Sequence, residues 1–281
     1  MRLLGTDGDT SVFPDVVFED GMTAIAIVGT STGFVFAADG RLAPVEFNAP
    51  EELLALGNDH QQKIFEIADP QKSLAYAITG CVIDPDGGFD LDAVVRSQIN
   101  RMSHRRFDDC RQYLRALGGT INEGINSAKQ DGAIVKFPCI NHVEQGPAWK
   151  FARILVAGYF GGLRCFSQVQ FFHYDGKRSE FAVDQYLNLI FLSGSSAVKR
   201  EMYQSSDLPV VGSIFPEYTK LLGDNPTLDD AEQYAVGYVK ACCSPLALEL
   251  DPKCKAMGGH IHVAEITPAG LKWRIPPAIR N

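Results

Sequence analysis

The sequence predicts an α+β chain with two antiparallel sheets held between helix layers, and three observations predict it. Short β-rich runs arrive in turn-linked pairs, two consecutive helical periodicities separate the early pairs from the late ones, and the strict strand-helix alternation of a parallel sheet is missing. With 281 residues, 46% of them hydrophobic and 21% charged, the chain can bury a sizeable core as one large domain or two small ones.

The elements follow in order. Residues 23–28 and 33–38 are β-rich runs joined by Gly-Thr-Ser-Thr, which reads as a hairpin. Residues 63–67 and 74–79 form a second pair across Ala-Asp-Pro-Gln-Lys. Helical spacing then places Leu91, Val94, Val95 and Ile99 on one face of residues 90–102. The same spacing places Tyr113, Leu114, Leu117, Ile121 and Ile125 on one face of residues 107–129, where Gly118-Gly119 predicts a kink. Strand character returns at 153–160 and 165–174 across Gly161-Gly162, and again at 186–192 ahead of Ser193-Gly-Ser-Ser196. Thr227 and Asp230 cap a helix carrying Ala231, Tyr234, Ala235, Tyr238 and Cys242. The last pair, 260–266 and 271–273, turns on Thr-Pro-Ala-Gly. Residues 1–22, rich in Asp and Gly, read as a leader to one domain covering residues 23–281.

Composition excludes several classes of function. A net charge of -8 without a Lys/Arg block gives no footprint for nucleic acid or an anionic membrane, and no apolar run approaches spanning length, so a cytoplasmic protein is expected. Seven cysteines without a C-x-x-C fit reduced thiols better than a disulfide framework, with Cys242-Cys243 at a helix end. There is no H-E-x-x-H, and His260 and His262 stand at strand spacing, so neither a metal nor any other cofactor is expected.

The chemistry-bearing residues lie at the ends of the early runs. Thr23 heads Thr-Ala-Ile-Ala-Ile-Val-Gly, the next run ends in Ala-Asp39-Gly-Arg41, Lys63 opens Lys-Ile-Phe-Glu-Ile, Gly80 closes Ala-Ile-Thr-Gly, and Ser195 lies in Ser-Gly-Ser-Ser. Taken singly, each has an ordinary role: a β-former, a turn pair, a solvated strand-edge lysine, a tight backbone contact and a surface loop.

Their order and spacing resemble the β-type subunits of the 20S proteasome, which are N-terminal-nucleophile hydrolases, over nearly the whole chain from Thr23 to about Trp273. The resemblance implies a four-layer αββα sandwich. It also implies a threonine peptidase or amidohydrolase in which Thr23, freed by autoprocessing, attacks a peptide or other amide. Its own amine would take the hydroxyl proton, as a base with an unperturbed pKa of about 7.7 to 8.0. Lys63 would tune the nucleophile, Asp39 would orient Lys63, the Gly80 N–H would stabilise the oxyanion, and Ser195 would position the amine or a water. The partners implied are copies of itself in a homo-oligomer or ring, or related subunits.

The sequence departs from the family pattern in three places. Residues 44–58 form an insertion, Met22 stands where a glycine commonly precedes the threonine, and Cys254 and Met257 replace the late Asp and Ser, with Asp251 nearby. Two other readings are a non-catalytic proteasome-like subunit that keeps the sandwich for assembly, and a small-amide hydrolase. A small-molecule binding module on the same sandwich is a third.

Overall fold

The computed structural model describes residues 23–41, 59–69, 72–80, 83–84, 88–132, 148–174, 178–186, 189–203 and 209–278. The expected leader and the 44–58 insertion lie outside them.

Twelve strands are described, and the larger sheets have five each. The first contains β1 (Ile25–Gly29), β2 (Phe34–Ala38), β10 (Ile190–Ser193), β11 (His262–Thr267) and β12 (Gly270–Ile275), in the order β10-β1-β2-β11-β12. The second contains β3 (Ile64–Asp69), β4 (Lys72–Gly80), β7 (Ala148–Phe160), β8 (Leu163–Tyr174) and β9 (Glu180–Gln185), in the order β3-β4-β7-β8-β9. Every pairing in both is antiparallel. A two-residue ladder joins β5 (Ile83–Asp84) to β6 (Phe89–Asp90). The helices are α1 (Leu91–Met102), α2 (Cys110–Gln130), α3 (Ser196–Met202), α4 (Leu228–Cys242) and α5 (Pro245–Leu250), followed by a 3-10 turn over Pro252–Ala256.

Alternation along each strand divides the side chains among three apolar clusters. Ile25, Ile27, Phe34 and Phe36 of the first sheet meet Ala75, Ala77, Leu155 and Ala157 of the second. On the far side of the first sheet, Ala26, Val35 and Ala37 pack with Tyr234, Ala235 and Tyr238 of α4. On the far side of the second, Tyr76, Ile154 and Val156 pack with Val95 of α1 and Leu114, Leu117 and Ile121 of α2. Both faces of β1 and β2 are buried, which is why the sequence shows them as continuous apolar runs without polar alternation.

Local chemistry sets the helix ends. Asp90 and Asp109 cap α1 and α2 by accepting backbone N–H groups of the first turn, and Thr227 and Asp230 form a reciprocal capping box on α4. The helix α2 runs unbroken across Gly118-Gly119. The reason for Gly118 is close packing: a Cβ there would lie 2.6 Å from the Phe181 ring of β9. The strand expected at 186–192 begins at Ile190. Strand β9 was not expected, because Glu180, Asp184 and Gln185 are exposed and hide its strand character.

The expectation of reduced thiols is corrected at one pair. Cys110, the first residue of α2, is disulfide-bonded to Cys165 on β8, with Cα atoms 6.5 Å apart across a sequence separation of 55. Packing α2 on the second sheet brings them together, and linear spacing holds no trace of it. Among the described residues, no helix is long and apolar enough to cross a membrane.

Closing a loop of that length restricts the unfolded chain by about 4 kcal/mol in the chain-entropy model. Denaturation in urea with and without a thiol reductant should therefore show a lower midpoint for the reduced protein, with the fold retained at zero denaturant. Superimposable curves would remove the disulfide from the stability of the fold.

Candidate active site

Hairpin pairing creates the first half of the site. Ile25 pairs with Ala38, so the residues just before β1 run beside those just after β2. The pairing extends one step further, since the Asp39 N–H donates to the Ala24 carbonyl at 3.0 Å and the Ala24 N–H donates to Asp39 Oδ1 at 3.0 Å. Thr23 and the Asp39 carboxylate thus share one end of the first sheet.

The second sheet supplies the cation. Lys63 immediately precedes β3, and its ammonium donates to Asp39 Oδ1 at 2.9 Å, to the Arg41 carbonyl at 2.7 Å and to Thr23 Oγ1 at 3.4 Å. All three ammonium hydrogens have acceptors, the one to Thr23 being the longest and weakest. Thr23 is 7% exposed, Lys63 7% and Asp39 0%. The strand-edge, solvated reading of Lys63 therefore fails, because the opposite sheet covers the side chain.

The carboxylate is held from several sides. Asp39 also accepts the Arg41 N–H at 3.3 Å and the Gly258 N–H at 3.0 Å. Complete burial pushes its carboxyl pKa upward, while the Lys63 charge and the N–H groups of Gly258 and Ala24 pull the other way. Every described partner around it is a donor, which is the environment of an ionised carboxylate.

Arg41 braces the Gly258 contact. Its guanidinium forms an ion pair with Asp59 at 2.7 Å and donates to the carbonyls of Lys255 and Met257 at 3.2 and 3.3 Å. Gly258 has φ at 147°, and a Cβ there would come within 2.9 Å of Arg41 Cζ. Any other residue would be strained in the backbone and would push Arg41 off the loop that presents the Gly258 N–H to Asp39.

Gly80 and Ser195 stand apart from this cluster in their described hydrogen bonds. Gly80 ends β4 with φ at 106°, and because Ile64 pairs with Ala77 it lies at the Lys63 end of the sheet. Ser195 is buried and caps α3: its Oγ accepts the Val198 N–H at 3.2 Å and donates to Asp251 Oδ2 at 2.7 Å. No described hydrogen bond joins Ser195 to Thr23, Asp39 or Lys63. Asp251, the acidic residue near Cys254 and Met257, is thus the hydrogen-bond partner of the serine.

Sequence reasoning missed three contributors: the Arg41 carbonyl, the Gly258 N–H, and His262, whose Nε2 accepts the Lys63 backbone N–H at 3.0 Å. The Asp-Gly-Arg and Gly-Gly pairs were visible, but nothing in one dimension shows which carbonyl or amide faces the lysine. The described free cysteines are Cys242 and Cys254, which are buried, and Cys243, which is half-buried. Burial pushes Cys242 up to about 12, Cys254 up to about 11 and Cys243 upward too, so all three are held as thiols.

No family model matches the chain. No curated protein matches it. Among solved structures it is similar to Anbu (ancestral beta-subunit) from Yersinia bercovieri, at 14% identity and a TM-score of 0.47, over 89% of this chain and 86% of that one. It is also similar to Anbu from Hyphomicrobium sp. strain MC1, at 12% identity and a TM-score of 0.45, over 92% of this chain and 89% of that one. A Gly-1 mutant of the latter gives 13% and 0.46 over the same shares. At such identities and TM-scores the likeness carries no chemistry with it; that comes from the geometry of Thr23, Asp39 and Lys63.

Proposed function

We propose that this chain is an N-terminal threonine hydrolase of proteasome β type, acting on peptide or other amide bonds. One observation carries the reading: a buried lysine ammonium bridges a threonine hydroxyl and a fully buried aspartate where the two sheets meet. Such a pair is costly to desolvate, and a threonine beside it has its oxygen turned to a fixed positive charge that favours the deprotonated hydroxyl.

In this reading residues 1–22 are a leader, and cleavage of the Met22–Thr23 bond frees the Thr23 amine. The amine takes the Oγ proton as the oxygen bonds to the substrate carbonyl carbon, and the proton passes to the departing amine. Water then hydrolyses the acyl ester and regenerates the hydroxyl. The Gly80 N–H is the proposed oxyanion donor, at a positive-φ strand end, and Ser195, fixed by Asp251, is the proposed orienting group for the amine or water. The three apolar clusters fit a four-layer αββα sandwich, and self-association into an oligomer would enclose the site. A non-catalytic subunit is the rival, and Cys254 and Met257 at the late polar positions favour it.

The test follows from which residue can be changed with the least disturbance of the buried charges, and Thr23 supplies only the longest of the three Lys63 contacts, at 3.4 Å. Lys63→Ala would strand the Asp39 carboxylate, so lost activity there would be confounded with lost stability. Thr23→Ala removes only a hydroxyl and a methyl. It should lower hydrolysis of a fluorogenic peptide-amide panel by about 10⁴-fold or more while the urea midpoint stays near wild type. Wild-type turnover by Thr23→Ala would end the proposal.

The ion pair itself makes a stability prediction. Asp39→Ala should destabilise by about 3–5 kcal/mol, because it leaves a buried ammonium unpaired, and Asp39→Ala with Lys63→Met should recover part of that loss. A double variant no more stable than Asp39→Ala would show that the pair is not the source of the penalty.

A further inference from the structure

The Lys63 backbone has an unusual partner. β3 is an edge strand of its sheet, yet the Lys63 N–H just ahead of it is buried and donates at 3.0 Å to His262 Nε2, which belongs to the other sheet. His262 opens β11 and pairs with Ala38 of β2, one residue before Asp39. The bond is therefore a side-chain tie between the two sheets at the end where the threonine, aspartate and lysine meet. His262 is 1% exposed, its ring lies 6.2 Å from the Trp273 ring between centroids, and the ring donates to the backbone carbonyl of His260.

We propose that His262 is a positioning residue for Lys63, holding its backbone so that the ammonium reaches both Thr23 and Asp39, and that protonation of the ring releases Lys63 and disarms the site. The inference rests on the N-terminal threonine reading for its effect on catalysis, while the tie itself does not. An imidazole accepting at Nε2 has its proton on Nδ1; a second proton removes the acceptor lone pair and turns two N–H donors against each other. An apolar side chain in its place would leave the Lys63 N–H buried without an acceptor.

The charges facing the ring define the direction of the pH effect. The charges of Lys63 on the β3 side and of His260 on its own segment oppose a second positive charge, while the His260 backbone carbonyl favours it. Asp39, beyond Ala38 on β2, is committed to Lys63, Ala24, Arg41 and Gly258. From β12 comes the Trp273 ring, while Lys272 turns to Glu265 and Arg274 to Asp229, Glu232 and Glu265. Burial first, and then the Lys63 charge, push His262 down to about 4 from an ordinary 6.5. A depressed base binds its proton first in the unfolded or opened chain. The tie is therefore intact above the ordinary value and is lost as pH falls toward the lowered one.

The experiment compares wild type, His262→Gln, which keeps an acceptor that does not titrate there, and His262→Leu, which has none. Hydrogen exchange of the Lys63 amide is followed by NMR in all three, and cleavage of the peptide-amide panel is followed from about pH 3.5 to 8.5, across the lowered value of the ring. Lys63 amide protection should be present in wild type and His262→Gln and lost in His262→Leu. In turnover, His262→Leu should lose about tenfold to a hundredfold in kcat with little change in KM, as misplacement of a catalytic group does. His262→Gln should recover most of that loss and remove the further fall near pH 4 that the ring adds below the limb set by the Thr23 amine. An unchanged Lys63 amide in His262→Leu, or identical pH profiles in all three, would overturn the proposal. If wild type cleaves nothing, the threonine-hydrolase reading has failed, and the exchange measurement alone decides the tie.

Discussion

The ion pair between Lys63 and Asp39 is the constraint on which the rest of the structure depends. Two opposite charges have been taken out of water at the junction of two sheets, and such a pair holds only if every remaining donor and acceptor is met. The structure meets them with backbone: the N–H groups of Ala24, Arg41 and Gly258 on the carboxylate, and the Arg41 carbonyl on the ammonium. Four separate stretches of chain are thereby fixed at one point, and Thr23 is carried there by the β1–β2 ladder.

Rigid layers around that point make the arrangement affordable. β1 and β2 are buried on both faces, so neither can shift without disturbing the core between the sheets and the core under α4. Arg41 and its ion pair with Asp59 anchor the loop bearing Gly258, and the bond from Lys63 to His262 joins the sheets directly. On the proposed reading the charged groups would be in place before any substrate arrives, which is the condition under which fixed dipoles and charges lower a barrier most.

Much of this was legible in the sequence, for reasons that can be named. Thr23, Asp39 and Lys63 each sit at a strand end, and the Thr-to-Asp interval follows from a hairpin whose turn residues are explicit. The α2 and α4 helices announced themselves through apolar spacing and capping residues. What the sequence hid depends on contacts between elements far apart in the chain. The burial of Lys63 comes from the opposite sheet, and the His262 tie joins positions 199 residues apart. The Cys110–Cys165 disulfide needs α2 laid on β8. Strand β9 escaped because its solvent-facing charges mask a strand that the ladder to β8 nonetheless forms.

The central claim is that Thr23 serves as an N-terminal nucleophile, and the N-terminus of the purified full-length chain tests it most directly. Intact mass and N-terminal sequencing of the wild-type protein should show a chain beginning at Thr23, and the Thr23→Ala protein should keep residues 1–22. A wild-type chain that still carries residues 1–22 after prolonged incubation would contradict the account. Its Thr23 would have no free amine to act as base, and the buried lysine and aspartate would be left with a structural role alone.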